Sequence, residues 1–484
     1  MERLLLYLVF LPAISGALFL FFRSRIAKYS AFAISLAELV LTLVVFIHYH
    51  GASNQSMELN IPWIRDWGIN LVLGLDGINV LLVLLTGIAV PVILLAGWDK
   101  HYHNFGLMDG MVLILQGSLM GVYLSLNVFV YYIFWEMTLI PAYLILLLWG
   151  GDRRMQITLK FFIYTLTGSL FMLVAIIYMY LSTPGTHSFT YSSFLELNLG
   201  LKQQSWLFLA FMFAFMIKTP LFPLHTWQPD TYTQAPSAAS MLLGGLMSKM
   251  GIFSMLRWVL PLLPLAVKEY APYVMWLAVI GLLYASVIAV MQKNIKTLFA
   301  YSSIAHLSLA VAAIFSLNAL AIQGSLLMMF SHGIVIIALF FVADIFKAKL
   351  NSQWLSDLGG LRVKAPVFAA VYLFILLAAV GLPLTSGFPG EFLMITGLLK
   401  KDIIIAAVAG LSIILGAVYM LGSYKTAMLG ELNDGTFTDM SVRERFVSGL
   451  FVAVILFAGV FPSVFLQTTE YSVTTLVNLL ALQP

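Results

Sequence analysis

The segment FMFAFMIKTPLFPLHTWQPD, residues 211–230, begins as an apolar run typical of a membrane helix and is then interrupted by three prolines. Lys218 lies two residues before the first of them, Pro220. Irregular backbone at membrane depth is tolerated only inside protein or beside water, and an ionisable residue there marks a functional site. The segment therefore predicts a broken membrane helix with a buried cation at its break.

A second segment, LLAAVGLPLTSGFPGEF at residues 376–392, has the same character. Here Glu391 follows Pro389 by two residues, so this break carries an acid instead of a base. Interrupted apolar segments in corresponding positions of two halves indicate an ion path at a repeat interface. We therefore expect the two breaks to belong to one ion path.

The composition is that of an all-α integral membrane protein. Hydrophobic residues make up 61% of the chain and charged residues 10%, against about 25% charged in soluble domains. A spanning helix needs about 20 apolar residues, and such runs recur along the whole chain. We predict fourteen transmembrane helices, at residues 3–22, 29–49, 77–98, 108–125, 127–149, 155–181, 204–224, 235–260, 271–291, 296–316, 320–346, 366–398, 402–430 and 446–467.

The spans divide into four regions with the two broken helices in matching places. An N-terminal three-helix region covers 1–107, and a C-terminal helix and tail cover 431–484. Between them lie two five-helix sets, 108–264 and 265–430, and the fourth helix of each is interrupted. Because five is odd, the second set starts on the opposite side of the membrane. The two sets are therefore predicted to be inverted repeats, each forming a half-channel.

Charge placement predicts the orientation. With the N-terminus outside, the inner loops hold fourteen lysines and arginines and the outer loops hold six. Cytoplasmic loops are enriched in these residues, so both termini are expected on the outer side. The net charge of +4 is then explained by the orientation of the chain in the membrane, and we expect no nucleic-acid partner.

Redox and metal chemistry are not expected in this chain. It has no cysteine, the main ligand of iron–sulfur clusters. Its histidines lack a paired metal-ligand spacing, and no glycine-rich dinucleotide fingerprint occurs. We therefore predict neither a metal site nor a cofactor-binding site.

Six titratable side chains fall within predicted spans and form a candidate proton relay. Burial makes an ammonium group easier to deprotonate, and a nearby carboxylate opposes that effect. An acid–base pair whose separation changes can therefore take up and release a proton. The relay candidates are Glu136, Lys218, Lys249, His306, His332 and Glu391.

Other interpretations of these residues stay open. The two histidines could serve only as hydrogen-bonding groups between helices, and Glu136 with Lys218 could form a static ion pair. Lys249 could extend towards a membrane surface, although its mid-helix position disfavours this.

Further polar residues have weaker assignments. Lys425 is a secondary candidate for one end of the path, whereas His225 and Asp230 are expected to shape its inner mouth. Glu38 lies mid-span outside both repeats, where a contact with a neighbouring subunit is the only role we assign to it.

Three stretches carry a resemblance to a known family. FWEMTLIPAYLILLLWGG, AFMIKTPLFPLHTWQPDTYTQAPSAASMLLGGLMSKMG and SGFPGEF, beginning at residues 134, 214 and 386, resemble the proton-pumping, antiporter-like membrane subunits of respiratory complex I. The resemblance covers essentially the whole chain. Related subunits of types L and N usually carry lysine at the last position, so glutamate at 391 favours the M type.

The resemblance implies a role for each relay residue. Glu136 and Lys218 would form the modulating pair of the first half-channel, and Lys249 would be the central lysine. His306 and His332 would continue the path to Glu391. It also implies neighbouring membrane subunits in a bacterial plasma membrane, with flavin, iron–sulfur clusters and quinone held by partners. The alternative is a subunit of a multisubunit cation/proton antiporter without redox coupling.

Overall fold

The computed structural model describes residues 1–21, 25–51, 56–100, 104–185, 187–429 and 437–482, and most of them are helical. Two antiparallel strands, β1 (Met57–Ile64) and β2 (Ile69–Leu75), form a hairpin before the third helix. The helices of ten residues or more are α1 (Leu4–Phe19), α2 (Arg25–Gly51), α3 (Val80–Ala96), α4 (Phe105–Leu124), α5 (Val128–Trp149), α6 (Arg154–Ser182), α7 (Leu201–Lys218), α8 (Ser237–Val259), α9 (Pro264–Val290), α10 (Ile295–Phe315), α11 (Ala319–Leu350), α12 (Pro366–Ala379), α13 (Gly387–Leu399), α14 (Ile403–Leu429), α15 (Val442–Val460) and α16 (Pro462–Leu482).

The number of long spans is lower than the sequence predicted. In the described part of the chain, nine helices are long and apolar enough to cross a membrane, or ten if α15 and α16 count as one bent span. Helices α1, α3, α12 and α13 are apolar but shorter. The coarser prediction of a multi-pass helical membrane protein is confirmed. The difference arises chiefly because the chain breaks or shortens several of its helices.

Both predicted breaks are present. Helix α7 ends at Lys218, and residues 219–227 form a turn before the short helix Gln228–Gln234. Helix α12 ends at Ala379, and α13 begins at Gly387. With α12 and α13 taken together, the interrupted element is fourth in each set of five helices, α4–α8 and α9–α14.

Helices α8 and α11 form the centre of the bundle. Within the most apolar window of each, all residues are buried. A helix that is apolar all round belongs in the core of a large helical protein. Since α8 carries Lys249 and α11 carries His332, the packing brings two relay candidates into the interior.

The hairpin occupies a stretch in which neither a helix nor a strand was predicted. Strand β1 pairs from Met57 opposite Leu75. The Asn79 amide follows the hairpin and donates to the carbonyls of Gly74 and Tyr123, each at 2.8 Å. This buried amide joins the hairpin to α4 and sets the start of α3.

The C-terminal region differs from the predicted span and tail. The chain bends by 63° between α15 and α16, and the tail is helical. Ser472 of α16 accepts from the Gly77 amide at 2.9 Å, and the Thr468 carbonyl accepts from the Tyr49 hydroxyl at 3.4 Å. Helix α16 therefore packs beside the end of α2 and the start of α3.

Two ion pairs tie the opposite end of α3 to the second half of the chain, and a third joins α11 to α15. Lys100 contacts Asp344 of α11 at 2.8 Å, Asp99 contacts Arg443 of α15 at 3.0 Å, and Lys349 joins Glu444 at 3.1 Å. Asp344 and Glu444 are largely buried, so their pairs hold α11 to the N-terminal region and α11 to α15 more firmly than exposed pairs would.

Candidate functional site

The backbone around Lys249 is locally widened. Residues Leu243–Met247 adopt a π-helical turn, in which the Ser248 amide donates to the Leu243 carbonyl at 3.1 Å. The Gly244 carbonyl accepts from Lys249 Nζ at 2.6 Å and from the Ser248 hydroxyl at 2.9 Å. Such π-turns occur frequently at functional sites. Here the turn supplies an oxygen that holds the ammonium group of a lysine with no exposed surface.

Lys249 and His332 are in direct contact. Nζ of Lys249 lies 2.9 Å from Nδ1 of His332, across the α8–α11 interface. An ammonium group only donates, so with Lys249 charged Nδ1 must accept and a neutral imidazole carries its proton on Nε2. Nε2 is buried and has no protein partner among the described residues. Nε2 is therefore the atom from which a proton can pass to the next group of the row.

His306 and Glu391 form the next contact. The rings of His332 and His306 have centroids 5.6 Å apart, and Nδ1 of His306 lies 3.3 Å from Oε1 of Glu391. The spatial order is thus Lys249, His332, His306, Glu391. Chain order places His306 before His332, so the folded path reverses them.

The break between α12 and α13 makes room for the Glu391 carboxylate. Gly381 has φ +75°, and a Cβ there would lie 2.4 Å from Oε2 of Glu391. A residue with a side chain would be strained in this backbone conformation and would also collide with the acid. The glycine explains why the carboxylate can sit directly at the break.

Two small cavities adjoin Glu391. One is lined by His306, His332 and Ser302 among others, and the second by His306 and Tyr419. Polar groups around a small internal space suit bridging water, which can connect hydrogen-bonding groups that do not touch. These cavities lie along the part of the row where neighbouring groups are farthest apart.

Lys218 packs against the helix that carries Glu136. Its Nζ donates to the Thr138 hydroxyl at 3.3 Å and lies 5.2 Å from the centre of the Trp135 ring. Lys218 is buried at 3% exposure, whereas Glu136 is half-buried with Oε1 unpartnered in the described structure. Glu136 acts on Lys218 through its charge, but the two make no ion pair within 4.0 Å in the regions described.

The two lysines are linked by tight packing of α7 on α8. A Cβ at Gly251 would lie 2.0 Å from the Thr219 hydroxyl and 2.5 Å from the Phe215 carbonyl. Thr219 is fully buried, and its hydroxyl has no described partner. Thr219 follows Lys218 in the chain and packs against α8 two residues from Lys249. Its hydroxyl, which can both accept and donate, is a polar group at this helix contact that the sequence did not reveal.

The secondary candidates lie at the edges of this row. His225 is buried beside Phe222, Tyr284 and Tyr301. Asp230 pairs with Lys160 at 3.0 Å near the surface.

Lys425 is exposed near the end of α14. The fold does not bring it to the relay residues.

Several hydroxyl groups beside the row were missed by sequence reasoning. Thr138 holds Lys218, Ser248 lies 3.4 Å from Lys249 Nζ, and Tyr419 donates to Ser302 at 3.2 Å next to Glu391. Serine, threonine and tyrosine are common in membrane helices, so no composition signal separates these from the rest. Their spacing from the charged candidates was the one available hint.

The arrangement can store and pass protons. Amine, imidazole and carboxyl groups follow one another in contact or across small cavities, and each changes its proton count by one. Helix breaks and buried ionisable groups of this kind are found in ion-translocating membrane proteins. The fold and the site therefore define a multi-pass membrane protein of the antiporter-like class.

The comparisons with known proteins agree with this assignment to the antiporter-like class. Residues 125–416 match the family described as "NADH:quinone oxidoreductase/Mrp antiporter, TM", which is more than half of the chain. The chain belongs to this family.

Named relatives are similar over nearly their full length. The chain is 37% identical to NADH-quinone oxidoreductase subunit M of Rickettsia prowazekii, covering 97% of each chain. It is 33% identical to NADH-ubiquinone oxidoreductase chain 4 of Arabidopsis thaliana, covering 97% of this chain and 96% of the relative.

Solved structures show the same fold. A chain of respiratory complex I from Thermus thermophilus with bound NADH superimposes with a TM-score of 0.92 at 31% identity, covering 98% of this chain and 99% of that one. A chain of the Mrp complex from Dietzia sp. DQ12-45-1b gives 0.86 at 17% identity, covering 99% and 97%. The second likeness concerns the fold alone.

Proposed function

We propose that this chain is a proton-translocating membrane subunit, of the M type, of an NADH:quinone oxidoreductase. The observation that carries the proposal is the contact of Lys249 with His332, continued through His306 to Glu391. Electron transfer takes place in other subunits, where flavin, iron–sulfur clusters and quinone are held. This chain uses the resulting signal to move a proton.

Transfer follows from the hydrogen-bond roles. Lys249 gives its proton to Nδ1 of His332, and the proton on Nε2 leaves towards the cavity shared with His306 and Glu391. Each step moves one proton between neighbouring groups, and a change in the local field sets its direction. Moving one charge through 100 mV costs about 2.3 kcal/mol, which a change in one buried charge pair can supply.

Lys218 and Glu136 act as the control pair. The Lys218 ammonium contacts the Thr138 hydroxyl and the Trp135 ring. These two residues are two positions and one position from Glu136 along α5. Movement of Glu136 towards Lys218 holds the proton on the lysine, and separation releases it towards Thr219 and Lys249. The fact that they are close but unpaired suits a pair that opens and closes.

The organisation into repeats belongs to the same proposal. Within the described ranges, nine long helices, together with α1, α3, α7, the α12–α13 pair and the α15–α16 pair, account for fourteen membrane elements. The two five-helix sets, 108–264 and 265–430, are inverted copies, and each break carries one ionisable group. The N-terminal region 1–107 and the C-terminal region 431–484 flank them.

The relatives support the partners and the location that we propose. Neighbouring antiporter-like membrane subunits and the lipid bilayer surround the chain in a bacterial plasma membrane. The excess of lysine and arginine in the inner loops supports placing both termini outside. A cation/proton antiporter without redox coupling is less well supported, because the relatives at 33–37% identity bear oxidoreductase names.

The test measures protons moved per electron in the assembled complex. Lys218→Ala and Glu136→Ala should each lower this ratio sharply while the complex still assembles and oxidises NADH. Lys202→Ala, an exposed lysine at the start of α7, is the matched control and should leave the ratio unchanged. Wild-type pumping by Lys218→Ala would overturn the assignment.

A further inference from the structure

Glu38 is a buried acid outside the row described above. It lies in the middle of α2 with no exposed surface, and neither carboxyl oxygen has a partner among the described residues. Much of α2 faces outwards, but one stripe of it is buried at heptad spacing: Ala31, Ser35, Glu38, Thr42 and Val45. The acid is therefore enclosed by this chain itself, so a contact with a neighbouring subunit does not account for it.

The buried stripe of α2 packs against α3. A Cβ at Gly87 of α3 would lie 2.6 Å from the Thr42 hydroxyl, so the two helices are in close contact one turn from Glu38. Helices α1 and α3 bring no acid, lysine, arginine or histidine to this interface, and Glu470 of α16 is exposed. Among the residues that the structure describes, no cation is therefore available beside Glu38 to compensate an ionised carboxylate.

Helix α4 brings a complementary group to the same depth. Gln116 has no exposed surface, and both atoms of its amide lack described partners. Helices α2 and α4 pack together, and Lys28 and Asp109, near the start of each, line the same cavity. At 1.5 Å per residue, Glu38 and Gln116 lie about 20 and 17 Å from the first residues of their helices. A carboxylic acid can donate to the amide oxygen and accept from its NH₂ group.

A small cavity, with two charged residues in a mainly apolar lining, adjoins the beginning of these two helices. Asp109 lies two turns before Gln116 on the same face of α4 and lines this cavity with Lys28, Trp98 and Ala238. Oδ2 of Asp109 is buried without a described partner, and Lys28 acts on it through its charge. Lys28 also lies 4.8 Å from the centre of the Trp98 ring. Asp109 thus stands between the cavity and Gln116.

We propose that Glu38 is a second proton-binding site of this chain, held as the neutral acid against the carboxamide of Gln116 and loaded through Asp109 from the Lys28 cavity. An ionised carboxylate without partners at this depth would cost several kcal/mol. Neither side chain has a hydrogen-bond partner in the described part of the chain, so in this proposal the acid and the amide satisfy each other when the two side chains turn together on protonation. The ligand is a single proton, and the site is separate from the Lys249–Glu391 row.

The test is infrared difference spectroscopy on the intact complex, comparing wild type with Glu38→Gln at neutral and mildly alkaline pH. The expected result is loss of the carbonyl band of a protonated carboxylic acid in the variant, with the wild-type band kept at both pH values. Glu38→Asp, which retains an acid, should keep a shifted band. Carboxylate bands in the difference spectrum, or no difference, would overturn the proposal.

Two further variants test the partner and the route. Gln116→Leu should shift the Glu38 band, and an unshifted band rules out the amide as partner. Asp109→Asn should slow hydrogen–deuterium exchange at Glu38 several-fold, with the exposed Asp152→Asn as control. Equal exchange rates at Glu38 in the Asp109→Asn and Asp152→Asn variants would overturn the route through Asp109. None of these readouts depends on pumping, so failure here is distinct from failure of the proposed function.

Discussion

Nζ of Lys249 lies 2.9 Å from Nδ1 of His332, and the same ammonium nitrogen lies 2.6 Å from the Gly244 carbonyl. The π-turn beside Lys249 supplies that carbonyl, so the backbone and the imidazole together position the lysine. His332 therefore has two roles that substitution can separate. It accepts a hydrogen bond at Nδ1, and it can pass a proton from Nε2.

His332→Asn should separate these two roles. The asparagine side chain retains a hydrogen-bond acceptor near the position of Nδ1, but it cannot relay a proton. We expect proton translocation to fall sharply while stability changes little. His332→Leu should lose both, and it should also destabilise the complex by about 1–3 kcal/mol, the cost of an unsatisfied buried polar group. Proton-to-electron ratios and thermal unfolding of the complex measure the two effects.

His187→Asn is the control for this pair, since His187 lies in the connection before α7 and contacts Thr183 instead of a relay residue. It should pump like wild type. Normal pumping by His332→Asn would show that the histidine is a structural hydrogen-bonding group, which is the other interpretation the sequence allowed.

Gly381→Ala should impair the second break. A left-handed backbone costs a residue with Cβ about 1–2 kcal/mol, and here the Cβ would also meet Oε2 of Glu391 at 2.4 Å. We expect lower stability and weaker pumping as the carboxylate is pushed from His306. Gly410→Ala on α14, where a Cβ meets nothing within 4 Å, should be nearly neutral.

A double variant identifies the cause. In a Glu391→Ala background the collision is gone, so Gly381→Ala should cost only the backbone strain. Thermal unfolding of the four combinations gives the coupling between the two positions. Strictly additive effects would show that the glycine matters for the turn and not for the acid.

The sequence predicted the broken helices well, and the reason is local. Closely spaced prolines and glycines favour a break in a helix, so the ends of α7 at Lys218 and α12 at Ala379 follow from residues beside them. The burial of Lys249 also follows locally, since its apolar helix has no polar face. Such features need no knowledge of what packs nearby.

Features that depend on packing were not predictable. Chain order places His306 before His332, but α11 lies at the centre of the bundle and brings His332 to Lys249 first. Thr138, not Glu136, contacts Lys218, because the helical twist of α5 turns that hydroxyl towards α7. The hairpin at 57–75 carries little amphipathic signal, and its strands are fixed by contact with α4.

The Asp76–Arg257 pair gives a pH-dependent prediction outside the spans. Asp76 lies between the hairpin and α3 and contacts Arg257 of α8 at 2.7 Å. Burial tends to raise the pKa of Asp76, but the Arg257 charge and the backbone amides of Ile78 and Asn79 outweigh it, so the pKa lies below its usual value. A lowered pKa means stabilisation that is present above the ordinary carboxyl pKa and lost as pH falls through the lowered one.

Asp76→Asn should therefore lower the unfolding free energy at neutral pH, by about 3 kcal/mol if the pair behaves as a buried one. The difference from wild type should shrink on acidification below the usual aspartate range. Thermal midpoints across that pH range measure it, with the exposed Asp66→Asn as control. A difference that stays constant with pH would exclude ionisation of Asp76 as its source.

Glu391→Gln tests the end of the row. Glutamine keeps the size and a hydrogen bond to His306, which is 3.3 Å away in the wild type, but it cannot take up a proton. We expect the complex to assemble and oxidise NADH with a lower proton-to-electron ratio. Glu391→Lys restores a titratable group at the break and should retain more pumping than the glutamine variant. The exposed Glu196→Gln serves as control. If the glutamine variant pumps at the full ratio, protons do not pass through Glu391, and the cavity beside Tyr419 must be reached from His306 by another group.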